Sequence, residues 1–525
     1  MSYTSISYLV FILLGAFIVY NIVPLKHRWK VLLAFSYLFY FINSGRYIIF
    51  ILFGSLTIYV GGLLINKIDD GCSMARKALP KESKKEYKAL IGWQKKCVCV
   101  CVVLVNVGIL VFLKYSVFLG QVFTDVLGLI HINVENPMYQ RMMPLGISFY
   151  TLSAVSYIVD VYRGKYRASD KFGKVALFLA FFPHIVEGPI ARFDLVGEQM
   201  YEGHRFSYEN MTMGLQLILW GFFKKIVIAD RANMYVNQIF DNYASYTGLP
   251  VVVGMLLYTL QLYAEFSGCM DIVRGSAQMF GIGLSENFNQ PFISKTVSEF
   301  WRRWHMTLGA WFKDYVFYSV SLSKPFVKLS KKTREHMNTF FATFVPMSIA
   351  MFIVWFGTGI WHGASWKYVM YGLYYWAIMV IGLLMEPLFK KLYVDRQGKV
   401  YRLLQVVRTF IFVNVGMLMF RADDLTAFGH MFVSMFRGFT FADLTNGTLL
   451  GMKLDMADFA VLAVGALILF LVGLYKEKGH QIRAELATKN IVLRWAVYYV
   501  LLFGVIILGA YGKGYEVAGF IYAQF

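Results

Sequence analysis

The chain has 525 residues, of which 58% are hydrophobic and 18% aromatic, with a mean hydropathy of +0.54. Only 16% are charged, against roughly a quarter in soluble domains, which excludes an ordinary water-soluble globule. The net charge of +20 does not point to nucleic acid: Lys and Arg gather in the gaps between apolar runs, as in membrane proteins, and form no stripe along a soluble fold.

Apolar runs long enough to cross a bilayer predict spans near 3–23, 31–43, 46–66, 97–118, 144–162, 208–228, 248–268, 338–360, 367–386, 409–421, 456–475 and 495–511. Met1–Asn21 lacks a basic n-region and a small-residue cleavage site, so it reads as the first span. The basic residues of 24–30, 67–96, 163–171, 324–334, 390–408 and 476–494 all fall on one side of this arrangement. That consistency predicts both termini outside and the basic clusters in the cytoplasm. The predicted fold is an all-α polytopic membrane protein of about 11–12 transmembrane helices with re-entrant or interfacial helices. Residues 1–525 read as one membrane-embedded domain, with a basic cytoplasmic loop at 67–96 and the catalytic core at 140–380.

Two stretches break the pattern. Residues 172–193 contain Pro183, His184, Glu187, Gly188, Pro189 and Arg192, and residues 269–320 mix Asn, Gly, Arg and aromatics. Irregular or charged backbone survives at membrane depth only where protein buries it or a cavity lies beside it. Cys97, Cys99 and Cys101 have the spacing of neither a zinc site nor a disulfide framework, and read as small apolar filler, with juxtamembrane acylation as the alternative. No metal is expected.

Two histidines stand out: His305 in Trp301-Arg302-Arg303-Trp304-His305, and His362 in Trp361-His362-Gly363-Ala364-Ser365-Trp366. An ionisable ring in such apolar surroundings is costly unless it has a task, and histidine is suited to proton transfer near neutral pH. Thr296 and Glu299 have capping-box spacing, which predicts a helix starting there and running to about Tyr318. On it, Trp301, Trp304, His305, Leu308, Trp311, Phe312 and Tyr315 form one stripe, which also fits an aromatic core holding one satisfied histidine. Arg302 and Arg303 fit either an anionic ligand or a headgroup anchor. His362 sits among glycines at a helix break, where backbone or substrate can come close, or else in a tight turn with interfacial tryptophans. Glu265 and Asp271 either orient a histidine, bind a cation, or pair with Arg274 or Arg303. There is no G-x-S-x-G elbow, Walker A loop, H-E-x-x-H or C-x-x-C, so a hydrolase elbow, an ATPase and a zinc enzyme find no support.

Several segments together resemble the membrane-bound O-acyltransferase family, and within it the bacterial alginate O-acetyltransferase and D-alanyl transfer branch. They are Pro144–Tyr150, Phe181-Phe182-Pro183 with Gly188-Pro189-Ile190, Tyr263–Asp271, Glu286–Tyr315, Trp361–Trp366 and the C-terminal Phe520–Phe525. After Asp314-Tyr315, where many of the acetyltransferases carry Pro-Leu-Gly-Gly, this chain has Ser319–Lys324. The resemblance implies a ring of helices around a central funnel in a bacterial cytoplasmic membrane. It also implies that His305 and His362 are the family's two characteristic histidines. His362 then acts as general base or transient acyl acceptor, and His305 polarises the thioester carbonyl or holds the donor. Asn289, Ser298, Trp301, Arg302, Arg303 and Trp361, with Glu265 and Asp271, are the expected substrate-side residues. The implied donor is acetyl-CoA, and the acceptor is a hydroxyl of an external or periplasmic polysaccharide or of an esterase-like relay protein. A D-alanyl transferase fed by a carrier-protein thioester is the alternative; a transporter and a long-chain acyltransferase are further rivals.

Overall fold

The computed structural model describes residues 2–78, 80, 83–132, 134–136, 138, 143–391, 398–511 and 515. The Phe520–Phe525 motif lies outside them. The fold is all-α, and among the described residues nine helices are long and apolar enough to cross a membrane. The protein is a multi-pass membrane protein. One of the nine, Leu25–Cys72, covers the helix Arg28–Ser44 and the helix Ile48–Ala78 as far as Cys72, divided at Gly45, whose φ of +51° ends the first. Tyr8–Ile22, Ile147–Tyr162 and Leu425–Ser434 are shorter apolar helices. The last of these has no counterpart among the predicted spans, because ten residues are too few to register as one.

Side-chain caps fix several helix starts. Asn338 accepts from Phe341 N (3.0 Å) at Thr339–His362, and Asn490 from Leu493 N (2.8 Å) at Ile491–Leu508. At Met456–Glu477, Asp455 and Asp458 form a reciprocal capping box. The basic stretch 67–96 differs from the expected loop. Lys67 lies on Ile48–Ala78, and Lys84, Lys85, Lys88, Lys95 and Lys96 lie on the start of the 47-residue helix Ser83–Leu129. Long Lys-rich helix ends can continue into water, which apolar-run counting does not see.

The chain divides into two compact units: Met1–Gly214 with Ser276–Ser285, and Leu215–Gly275 with Glu286–Phe525. In the first, the irregular segment expected at 172–193 is a short helix, Phe172–Ala180, followed by turns and extended backbone. Every residue from 175 to 191 is buried. Hydroxyls satisfy some of this non-helical backbone: Tyr3 Oη donates to Phe182 O (3.0 Å) and accepts from Val186 N (3.2 Å), and Ser36 Oγ accepts from Phe182 N (3.0 Å). Tyr3, Tyr8, Phe39, Phe182 and Phe280 pack as one aromatic core around it.

In the second unit, the helices Thr339–His362 and Trp366–Lys391 cross backbone to backbone. A β-carbon on Gly359 would overlap the Tyr368 carbonyl oxygen, and one on Gly372 would overlap that of Trp355. Gly359 and Gly372 face each other at the crossing, small residues of the kind that let membrane helices approach this closely. A π-turn, Phe223–Ala229, interrupts the long helix Tyr208–Asp241. It carries Lys224 and Lys225, both buried.

Candidate active site

The helix expected from Thr296 to Tyr318 is not continuous. It consists of Val297–Arg303, Met306–Trp311, a π-turn Phe312–Phe317 and Tyr318–Ser321, with a break at His305. The start is as predicted: Thr296 Oγ1 accepts from Glu299 N at 3.0 Å. The Glu299 carboxylate, however, accepts from Lys295 N (3.0 Å) and Arg303 Nε (3.1 Å), so the reciprocal half of a capping box is absent. His305 itself takes a left-handed conformation (φ 48°, ψ 51°), rare for a residue with a β-carbon. Helical periodicity placed the stripe correctly as buried, since Trp304, His305, Leu308, Trp311, Phe312 and Tyr315 all are. It did not foresee the break.

A short antiparallel ladder holds the break. Phe288 bridges Trp304, Asn289 N donates to Arg303 O (2.9 Å), and Met306 N donates to Asn287 O (2.9 Å). The Asn287 side chain completes it. Its Oδ1 accepts from Thr307 N (3.0 Å) and Thr307 Oγ1 (2.9 Å), and lies 3.1 Å from His305 Nδ1. Asn287 is 1% exposed and His305 2%. This segment lies outside the long apolar helices, and burial lowers the His305 pKa from 6.5 to about 3, so the ring is neutral at physiological pH.

His362 is the last residue of Thr339–His362 and is 3% exposed. Its ring is enclosed by Trp361 (centroids 5.0 Å), Phe420 (5.2 Å) and Tyr371 (5.7 Å). Trp361 also meets His305 at 5.9 Å, so one indole touches both histidines. Phe266 covers His305 from another side at 4.8 Å. Trp301 joins the same aromatic group through Tyr375 (4.8 Å), Trp355 (5.1 Å) and Tyr371 (6.2 Å). Its buried indole Nε1–H has no acceptor among the described residues.

The other expected site residues divide. Trp301 and Trp361 belong to the histidine cluster. Asn289 and Ser298 are exposed, and Arg302 Nη1 donates to Ser298 Oγ (3.1 Å). Arg303 forms a two-pronged pair with Glu477 (2.7 and 2.9 Å) and donates to Asn289 O (3.3 Å), which braces the ladder. Glu265 pairs with Lys225 (3.2 Å), which also binds Asp230 (2.8 Å), and Asp271 pairs with Lys224. Of the three readings left open by the sequence, the ion pair is the one found, and its expected partner was Arg274 or Arg303. Arg274 does approach Asp271, at 3.8 Å, but the two lysines of the π-turn take the principal place. They were overlooked because they sit inside an apolar run. Asn287 was also overlooked in favour of Asn289. Alternation could not have separated them: in an extended strand residues two apart face the same way, so only the pairing within the ladder decides which amide turns inward.

Among the described residues no group of His, Cys, Asp and Glu is placed to hold a metal ion. What the arrangement offers is two imidazoles, aromatic walls and a buried N–H donor. Those are the parts of a proton-transfer and carbonyl-polarising site.

Comparison with known proteins gives a consistent result. The profile of the membrane-bound O-acyltransferase family matches residues 170–420. A probable alginate O-acetylase of Azotobacter vinelandii is 33% identical over 334 residues, 63% of this chain and 61% of that protein. A peptidoglycan O-acetyltransferase of Helicobacter pylori is 28% identical over 349 residues, 62% of this chain and 61% of that protein. A teichoic acid D-alanyltransferase of Bacillus subtilis is 30% identical over 315 residues, 58% of this chain and 77% of that protein. The match thus spans less than two thirds of the alginate and peptidoglycan relatives.

Proposed function

The chain belongs to the membrane-bound O-acyltransferase family, and from that premise we propose that it moves an acetyl group from a cytoplasmic thioester, acetyl-CoA, towards a polysaccharide hydroxyl beyond the membrane. The observation that carries the proposal is the sharing of Trp361 by two buried histidines, each set at a helix break. The alginate and peptidoglycan relatives support an acetyl group and a glycan acceptor.

In this reading His362 is the general base. It takes the proton of the attacking hydroxyl as the oxygen bonds to the thioester carbonyl carbon. The C–S bond then breaks with its electron pair on sulfur, and the proton passes from His362 to the departing thiolate. The Trp301 indole N–H is available to the oxyanion that forms between these steps. His305 serves the donor side. Glu265, Asp271 and their lysines hold the helices that carry Phe266 and the π-turn, and do not take part in the chemistry. The chain sits in a bacterial cytoplasmic membrane with both termini outside, and the final acceptor is reached directly or through an external relay protein.

The test is acetylation of cell-surface polysaccharide in cells carrying His362→Ala or His362→Gln at wild-type protein level. Loss of acetylation is expected, and unchanged acetylation would overturn the assignment. The D-alanyl alternative has support of its own, from the 77% of the Bacillus subtilis protein that the match spans. It predicts copurification with a small acidic carrier and no transfer from acetyl-CoA.

A further inference from the structure

We propose that Asn287 is a positioning residue that fixes His305 in the Nδ1–H tautomer, so that His305 meets the acyl donor as a hydrogen-bond acceptor through Nε2 and not as the group that polarises its carbonyl. This rests on the acyl-transfer reading above.

The chain of reasoning begins at a backbone amide. Thr307 N–H can only donate, and the Asn287 side-chain atom it meets at 3.0 Å must therefore be the oxygen. The opposite orientation would set two donors against each other at that distance. Thr307 Oγ1, at 2.9 Å, supplies a second donor to the same oxygen. The other end of the amide agrees, since Asn287 Nδ2 faces the Met270 sulfur at 3.3 Å, a weak acceptor. With the oxygen fixed, His305 Nδ1 at 3.1 Å must bring the hydrogen. A neutral imidazole has one N–H, so its lone pair then lies on Nε2.

The backbone gives the side chain little room to choose otherwise. His305 is held left-handed, Met306 N donates to Asn287 O at 2.9 Å, and Asn289 N donates to Arg303 O at 2.9 Å. Asn287 thus grips the break by main chain and side chain together. A lone pair cannot stabilise a developing oxyanion; it can accept from an N–H of the thioester's arm. The oxyanion donor must come from elsewhere, and the buried Trp301 N–H is such a group. The sequence-based expectation that His305 polarises the carbonyl is therefore replaced by its other half, holding the donor.

The first test needs no activity. In detergent-solubilised protein with nitrogen-15 histidine, the signal lost in His305→Gln should show a protonated Nδ1 and an unprotonated Nε2. A protonated Nε2 would overturn the proposal, whatever reaction the protein performs. The second test is kinetic. Asn287→Leu keeps the branching of the side chain and removes the acceptor; it should raise KM for the thioester about tenfold or more with kcat changed about threefold or less. Asn287→Asp, which still accepts from His305 and Thr307, should return KM to within about threefold of wild type. An unchanged KM in Asn287→Leu, or a failure of Asn287→Asp to restore it while both proteins fold, would contradict the assignment. Absence of transfer by the wild-type protein itself, with the nitrogen-15 result intact, would instead count against the acyl-transfer reading.

Discussion

Gly359→Ala adds one methyl group where two helices leave no space for it. The new carbon would overlap the Tyr368 carbonyl oxygen and stand 3.3 Å from both Cα and N of Gly372. Non-bonded carbon contacts settle at about 3.5–4.0 Å, and a backbone carbonyl cannot rotate aside as a side chain does. Thr339–His362 and Trp366–Lys391 must therefore part locally by roughly 1 Å, at a cost of about 1–3 kcal/mol for overpacking. Trp361 and His362 are the next residues but one on the displaced helix end, while Tyr371 lies on the other helix. A misplacement of about 1 Å in a catalytic group costs on the order of a hundredfold in rate, equivalent to about 2.7 kcal/mol of barrier. The assay is acetyl transfer in membrane vesicles, normalised to folded protein by thermal unfolding in detergent. Gly382→Ala is the control: it lies in Trp366–Lys391 with nothing within 4 Å of the added carbon, and should leave the rate unchanged. If Gly359→Ala kept its rate within about twofold, the crossing would not be what positions His362.

Removing the charge of Lys225 by Lys225→Met leaves Asp230 and Glu265 buried without their cation; a loss of about 3–5 kcal/mol is expected, read as detergent thermostability. Adding Asp230→Asn and Glu265→Gln to that variant should recover most of it. Thr296→Ala removes the helix cap that accepts from Glu299 N and should cost about 1 kcal/mol with little effect on transfer, since the cap is exposed. Burial of neutral His305 carries its own pH signature. Its pKa is lowered in the folded protein, so its contribution to stability is complete above about 6.5, the unfolded value, and falls as pH drops towards 3. His305→Gln should lose less stability than wild type over that range, measured as the pH dependence of the unfolding midpoint.

The helices were legible because the apolar runs that a bilayer demands are long and the charged gaps are short. Eight of the twelve predicted spans fall within, or within two residues of, single described helices, such as 31–43 inside Arg28–Ser44; 144–162 and 495–511 overhang theirs by three residues, and 3–23 and 208–228 each run through a π-turn. His305 and His362 were legible for the same reason, as polar rings in apolar company. What stayed hidden depended on pairing across the sequence. The break at His305 arises from its ladder with Asn287–Asn289, eighteen residues away, and helical periodicity averages over such a kink. Lys224 and Lys225 went unnoticed inside the predicted span 208–228 because their partners Asp271 and Glu265 lie on another helix. The shared indole of Trp361 required two separate helix ends to meet, which spacing along one chain does not encode.

The central claim is that this chain transfers an acetyl group through His362. The most direct measurement supplies radiolabelled acetyl-CoA to the cytoplasmic face of vesicles containing either wild-type protein or His362→Gln at matched amounts, with polysaccharide on the other face. The account predicts label on the polysaccharide in the wild type and a loss of about a hundredfold or more in the variant. Equal labelling by both proteins would contradict it.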